Sequence, residues 1–437
     1  MVKSFWNGVA IAGLMLVPVS AQAAVAGAAV MGAPGAIAAT QGASRAVESF
    51  YAGRRDAPLW FDGGRERPAA SELVQILHRA PVDGLTSGPR LAAQIEQALG
   101  EARGDPRAIA RAERMMSSAW VLYVQAVRAP TPGMIYGDPQ MPASAPQASI
   151  ILRDAARAPS LAAYLASVSA VNPTYSALRN AITQAQDSGA ASPQLLANLE
   201  RARAIPAAGR FVLVDAAAQR LWMYENGRPT DSMKVIVGKP QFATPMIASI
   251  IHWATLNPYW HVPDHLVRDL IAANVVKQGA SYLTERGYEV VTDYSETAET
   301  LPSSSVDWNA VAAGRQTAKI RQLPGGNNSM GTVKFSFANG EGIYLHDTPD
   351  KALFDQEQRT LSNGCVRLED AERFGQWLAG SALQTAAAIP EQHVRLPQGV
   401  PIYITYLTAK SAGGAMTYVD DIYGRDTQRS AKTAALK

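Results

Sequence analysis

The sequence predicts an α+β protein: a helical N-terminal half, a mainly β C-terminal half, and a helical excursion inserted into the latter. Three observations carry this. Up to about Pro206, apolar residues recur at three- and four-residue spacing, as in RAIARAERMMSSAWVLYVQAV and SPQLLANLERARAI. From Gly209 the period switches to two, with Val, Ile and aromatics enriched in RFVLVD, QRLWMYENGRP and SMKVIVG. Between later strands, HVPDHLVRDLIAANVVKQGASYLTERG abandons alternation and reads as helix.

In chain order, residues 1–23 combine a basic Lys3, an apolar stretch from Val9 to Val19 and small residues at Ala21 and Ala23. That is the pattern of a cleaved secretory signal, and the apolar stretch is short for a bilayer span. The expectation is export with no stable membrane anchor after cleavage. Residues 24–44 are nearly all Ala and Gly and are expected to form a linker. Residues 45–206 are expected to form a helical scaffold, its segments separated by breaks such as RAPTPGMIYGDPQMPASAP. Residues 207–409 form the β half. Asn226-Gly227 supplies its first hairpin turn, and TVKFSFANG, EGIYLHD and VPIYITYLTA are later strands. The excursion occupies about 257–325, EDAERFGQWLAG reads as a further helix, and 410–437 form a C-terminal extension with a polar tail.

Composition excludes several classes. The apolar fraction is 47% and the charged fraction 18%, ordinary for a soluble folded protein. A net charge of +3 over 437 residues gives no basic surface for nucleic acid.

The single cysteine, Cys365, lies in LSNGCVRLED and has no partner for an intramolecular disulfide. A free thiol titrates near ~8.5 and needs a base to become nucleophilic at neutral pH. Of six histidines, His346 ends a strand shortly before the cysteine. Alternation puts Tyr344 and His346 on one face and Ile343 and Leu345 on the other. Gly364 permits the tight turn that aims backbone N–H groups at a developing oxyanion. A buried structural cysteine and a hydrogen-bonded structural histidine are the alternatives that spacing leaves open.

The motif narrows them. His346, fifteen intervening residues (347 to 361), then Ser362-Asn363-Gly364-Cys365-Val366-Arg367 resembles the signature of the L,D-transpeptidase catalytic-domain family. VGKPQFATP, LNPYWHVP, VDW, GTVKFSFAN and DIYGRD extend the likeness to the large periplasmic subgroup with a helical scaffold domain. FYAGRRDAPLW and LANLERARAIP resemble scaffold landmarks, so the likeness covers about 45 to 426. It implies that Cys365 is the nucleophile and His346 its base, with Asp347 orienting the imidazole through its backbone carbonyl. Gly364 and Cys365 would supply the oxyanion N–H groups and Arg367 would hold a carboxylate. Ser362 would fix the loop, and Tyr344 would line the pocket near Asn363, where many relatives have His. An inserted wall-binding domain found in some large members has no room here.

What the resemblance implies for activity is peptidoglycan cross-linking in cell wall biogenesis. A tetrapeptide stem would be the acyl donor, an amine of another stem the acceptor, carbapenem-type β-lactams the inhibitors, and no cofactor would be required. A hydrolase on the same scaffold and a silent wall-binding module are the competing readings. A papain-like arrangement is excluded by order, because there the cysteine precedes its histidine. His261 and His265 around Asp264 have metal-like spacing, but Pro263 between them argues against a metal site. Trp253, Tyr259 and Trp260 are candidate glycan-facing aromatics, and PGGNNSMG is a loop near the site.

Overall fold

The computed structural model describes residues 33–54, 57–187, 192–383, 389–412 and 415–426. The expected signal segment lies outside them, as do residues 427–437 of the polar tail.

Among the described residues, eight helices build the N-terminal half: α1 (Ala33–Gly53), α2 (Pro68–Arg79), α3 (Gly88–Glu101), α4 (Pro106–Val127), α5 (Ala148–Arg157), α6 (Leu161–Ala170), α7 (Pro173–Asp187) and α8 (Pro193–Ala202). The linker expected at 24–44 is corrected over 33–44, which are helical, while residues 24–32 lie outside the described residues. Alanine is the best helix former, and the stripe Ala43, Val47 and Tyr51 docks this helix into the core. Helix α4 is the central post. Asp105 caps it by accepting the Arg107 N–H at 2.9 Å, with Pro106 in the first turn.

Two buried acids organise this half. The Glu113 carboxylate accepts the backbone N–H groups of Leu59, Trp60 and Phe61 at 2.8–2.9 Å and the Tyr51 hydroxyl at 2.5 Å. All of those donors but Phe61 belong to FYAGRRDAPLW, so the end of the landmark stretch gathers around one side chain. Asp83, fully buried, accepts the hydroxyls of Tyr123 and Tyr175 at 2.8 and 2.9 Å.

Ten strands form the main sheet of the C-terminal half: β1 (Met134–Tyr136), β2 (Phe211–Asp215), β3 (Arg220–Glu225), β4 (Arg228–Gly238), β5 (Met246–Leu256), β6 (Val333–Phe337), β7 (Tyr344–His346), β8 (Thr360–Ser362), β9 (Val366–Leu368) and β10 (Gln392–Thr405). Their order is β6-β7-β9-β4-β3-β2-β10-β5-β1, with β8 on β4. Strand β6 also pairs antiparallel with the far end of β5, which closes the ring into a barrel. Asn226 and Gly227 both take positive φ, and Glu225 faces Arg228 across a two-residue turn. Strand β1 comes from the helical half. It pairs in parallel with β5, Met134 opposite Met246, inside a stretch that reads as a mere break in the sequence.

The excursion is helical first, through Asp264–Leu266, a π-helical turn at Val267–Ala272, Ala273–Gln278 and Ser281–Glu285. It also carries a four-stranded antiparallel sheet of Thr300–Leu301, Tyr288–Val291, Lys319–Gln322 and Trp260–His261, with its own core around Val262, Ile271 and Ile320. Helix α8 docks the two halves: Asn198 exchanges hydrogen bonds of 2.7 Å with Thr408, and Arg201 pairs with Asp426 at 2.5 Å.

Candidate active site

Strands β7 and β9 run parallel side by side, Leu345 opposite Val366 and His346 opposite Arg367. Leu345 points into the barrel core, while Tyr344 and His346 share the other face with ring centroids 6.2 Å apart. Continuing the register one step brings Cys365 level with Tyr344. The cysteine thus meets Tyr344 directly and His346 on the diagonal.

The Cys365 thiol is half-buried. Its Sγ lies 3.8 Å from the Gly342 carbonyl, and the backbone and hydroxyl of Tyr344 are hydrogen-bond partners. Burial pushes the thiol up to about 11, against the Tyr344 hydrogen bonds and the positive charges of Arg367 and Lys334. Conversely, burial also pushes the Tyr344 phenol up, with the neighbouring thiol adding to it.

His346 is buried, and its Nδ1 donates to the Asp347 backbone carbonyl at 2.6 Å. A carbonyl only accepts, so the proton sits on Nδ1 and Nε2 is left with a lone pair. Burial, then the charge of Arg367, hold the imidazole down at about 3. No hydrogen bond joins His346 to Cys365 among the described residues, so both are neutral at pH 7. The Asp347 carboxylate does a separate job. Burial raises it, but donors from Lys351 and Thr332 outweigh that and hold it below the usual carboxylate range.

The loop before the cysteine is tied down internally. Ser362 Oγ donates to the Cys365 carbonyl at 2.6 Å and accepts the Gly364 N–H at 3.1 Å. The Gly364 N–H, one of the two expected oxyanion donors, is thus engaged by Ser362 in this structure. Gly364 has φ +117°, a conformation suited to glycine. Asn363 is exposed at the tip.

Arg367 leaves the strand toward a cavity of about 430 Å³ lined also by Thr348, Asp350 and Ser329 and, from the excursion, by Tyr288 and Gln322. Its Nε is buried without a partner, and burial lowers the guanidinium pKa. A guanidinium lining a polar cavity suits an anionic ligand group. The excursion also reaches the loop 238–244 that packs against Gly364, since the Phe242 ring stacks on His265 at 5.6 Å. His261 stacks instead on Tyr294 at 4.7 Å, and Asp264 pairs with Lys319 at 2.8 Å, so HVPDH spreads over three separate contacts.

Sequence reasoning missed Phe242, Thr244 and Lys334. Lys334 lies opposite His346 on β6 and places its ammonium 5.7 Å from the Tyr344 ring. Alternation along TVKFSF puts Lys334 and Ser336 on one face, which is the signal that would have found it.

Comparison with known proteins follows this geometry. Residues 209–404 match the model of the L,D-transpeptidase catalytic domain, and residues 45–182 match that of a Scaffold domain. A curated relative from Haemophilus influenzae, described as a putative L,D-transpeptidase, is 25% identical over 392 residues, 87% of this chain and 78% of that protein. Among solved structures, an L,D-transpeptidase from Mycobacterium smegmatis is 14% identical over 46% of this chain, with TM-score 0.23. L,D-transpeptidase 1 of Mycobacterium tuberculosis is 11% identical over 45% of it, with TM-score 0.21. The matched part spans 59% of the first structure and 61% of the second.

Proposed function

We propose that this chain, a member of the L,D-transpeptidase catalytic-domain family with a preceding Scaffold domain, cross-links peptidoglycan stems by acyl transfer through Cys365. The observation that carries the reading is a lone thiol flanked by Tyr344 and Arg367. Beside it stands a neutral imidazole whose Nδ1 is locked to a carbonyl, which leaves the Nε2 lone pair as the proton acceptor.

In this reading Sγ attacks the carbonyl of the third stem residue. A neutral thiol and a neutral imidazole transfer the proton as the C–S bond forms, not beforehand. The tetrahedral oxyanion is met by the Cys365 N–H, and its collapse expels D-alanine, whose nitrogen takes the proton from His346. An amine of a second stem then attacks the thioester, restoring the thiol and forming the new amide. Arg367 anchors a substrate carboxylate in the cavity beside it, and Lys334 favours negative charge at the thiol. The signal-like pattern of residues 1–23 supports export, so the proposed place of action is the periplasm.

Incubation with a disaccharide-tetrapeptide, followed by mass spectrometry, tests this. Released D-alanine with cross-linked dimers is the expected result, and tripeptide alone would convert the assignment to a hydrolase. A carbapenem is expected to add its mass to the wild-type protein but not to Cys365→Ala. An unmodified wild-type protein would sink the acyl-enzyme reading and leave a wall-binding module.

A further inference from the structure

Thr244 has no part in the motif, yet it is fully buried against the nucleophile loop. Its Oγ1 accepts the Gly238 N–H at 2.9 Å and donates to the Gly364 carbonyl at 2.8 Å. The far side of this contact is held by the C-terminal extension. The Tyr423 hydroxyl donates to the Gly238 carbonyl at 2.7 Å and accepts the Thr244 N–H at 3.4 Å, while Arg425 donates to the Thr244 carbonyl at 2.9 Å. Gly238 admits no side chain, because a Cβ there would stand 1.9 Å from the Phe242 carbonyl oxygen. Residues 421–426, the loop 238–244 and Gly364 therefore form one hydrogen-bonded block.

Its consequence is set by peptide geometry. The bond between Gly364 and Cys365 is trans, and in a planar trans peptide the C=O and N–H point in opposite directions. Fastening the Gly364 carbonyl to Thr244 turns the Cys365 N–H the other way, away from the buried block. That N–H has no acceptor among the described residues, whereas the Gly364 N–H is engaged by Ser362.

We infer that Thr244, braced by Tyr423, is a positioning residue that aims the Cys365 N–H at the oxyanion. It acts through the peptide plane and does not touch substrate. The inference rests on the acyl-transfer reading, and two reagents separate the two. A carbapenem acylates through a tetrahedral oxyanion, whereas iodoacetamide alkylates the same thiol at a saturated carbon without forming one.

In Thr244→Val the acylation rate is expected to fall about ten- to a hundredfold, less than deleting an oxyanion donor outright costs. The alkylation rate should stay within about twofold of wild type, and Thr244→Ser should restore acylation. Tyr423→Phe, which removes only a hydroxyl, should lower acylation by about threefold or more, and it carries the test if Thr244→Val does not fold. Acylation at the wild-type rate in these variants, or a parallel loss of acylation and alkylation, would overturn the inference. Absence of any adduct on the wild-type protein would overturn the acyl-transfer reading, and the inference with it.

Discussion

The thiol at rest is predicted to be protonated well above neutral pH, and alkylation kinetics measure this directly. With Cys365 held at about 11 by burial, about one molecule in 10⁴ carries a thiolate at pH 7. An exposed cysteine near ~8.5 is thiolate to about 3%, so the population deficit is about 300-fold. A more basic thiolate is also a better nucleophile. A Brønsted slope of about 0.4–0.5 over that difference recovers about tenfold. The net expectation is iodoacetamide alkylation about 30-fold slower than a small free thiol at pH 7, rising about tenfold per pH unit until about pH 10. The assay is second-order alkylation from pH 6 to pH 10.5, followed by intact mass, with glutathione as the reference. A rate that matches glutathione at pH 7, or that levels off near pH 7, would refute the argument. It would show a preformed thiolate–imidazolium pair instead of two neutral groups.

Other expectations follow from the same geometry. Tyr344→Phe removes a donor to the thiolate worth about 1.5–3 kcal/mol, so alkylation at pH 8 should slow several-fold and a wild-type rate would count against the contact. Asp215 is raised to about 6 by burial, so the stability it contributes is full below the unfolded carboxylate pKa and is lost as pH rises through about 6. Since Asp215 Oδ1 alone accepts the N–H groups of Ala217, Ala218 and Leu407, Asp215→Asn should keep those bonds. It should melt higher relative to wild type at pH 7.5 than at pH 4, and equal shifts at both would refute this. Glu113→Ala strands three backbone N–H groups at about 1–3 kcal/mol each, and calorimetry should show the helical half melting well before the barrel.

Much of this was legible in the sequence because its signals are local. The Asn226-Gly227 turn, the strand alternation through RFVLVD and SMKVIVG, the 3.6-period of α4 and the spacing of His346 to Cys365 need no distant partner to be recognised. What stayed hidden is defined by contacts far along the chain. Strand β1 is three residues between glycines and prolines, and only pairing with β5 makes it a strand. Thr244 looks like an ordinary loop residue until Gly364, 120 positions on, accepts its hydroxyl. The strands of the excursion are two to four residues long, below the length at which alternation is visible. Residues 33–44 were misread from composition, although Ala43, Val47 and Tyr51 already spell a helix face one turn apart. At the site, residue types pointed to an oxyanion turn at Gly364 but carried no sign that Ser362 claims its N–H.

Strand β1 bears on how this molecule is made and cut. A fragment beginning near residue 207 would contain the nucleophile, the histidine and most of the barrel, yet would present Met246–Ala248 as an unpaired edge. Bare edges of that kind recruit other chains, so such a fragment is expected to associate or precipitate more readily than the full chain. During synthesis the order is reversed. Met134–Tyr136 leaves the ribosome about 110 residues before its partner strand, and the helical half has to hold it ready. The N-terminal half thus serves as an internal template for the last gap in the barrel wall.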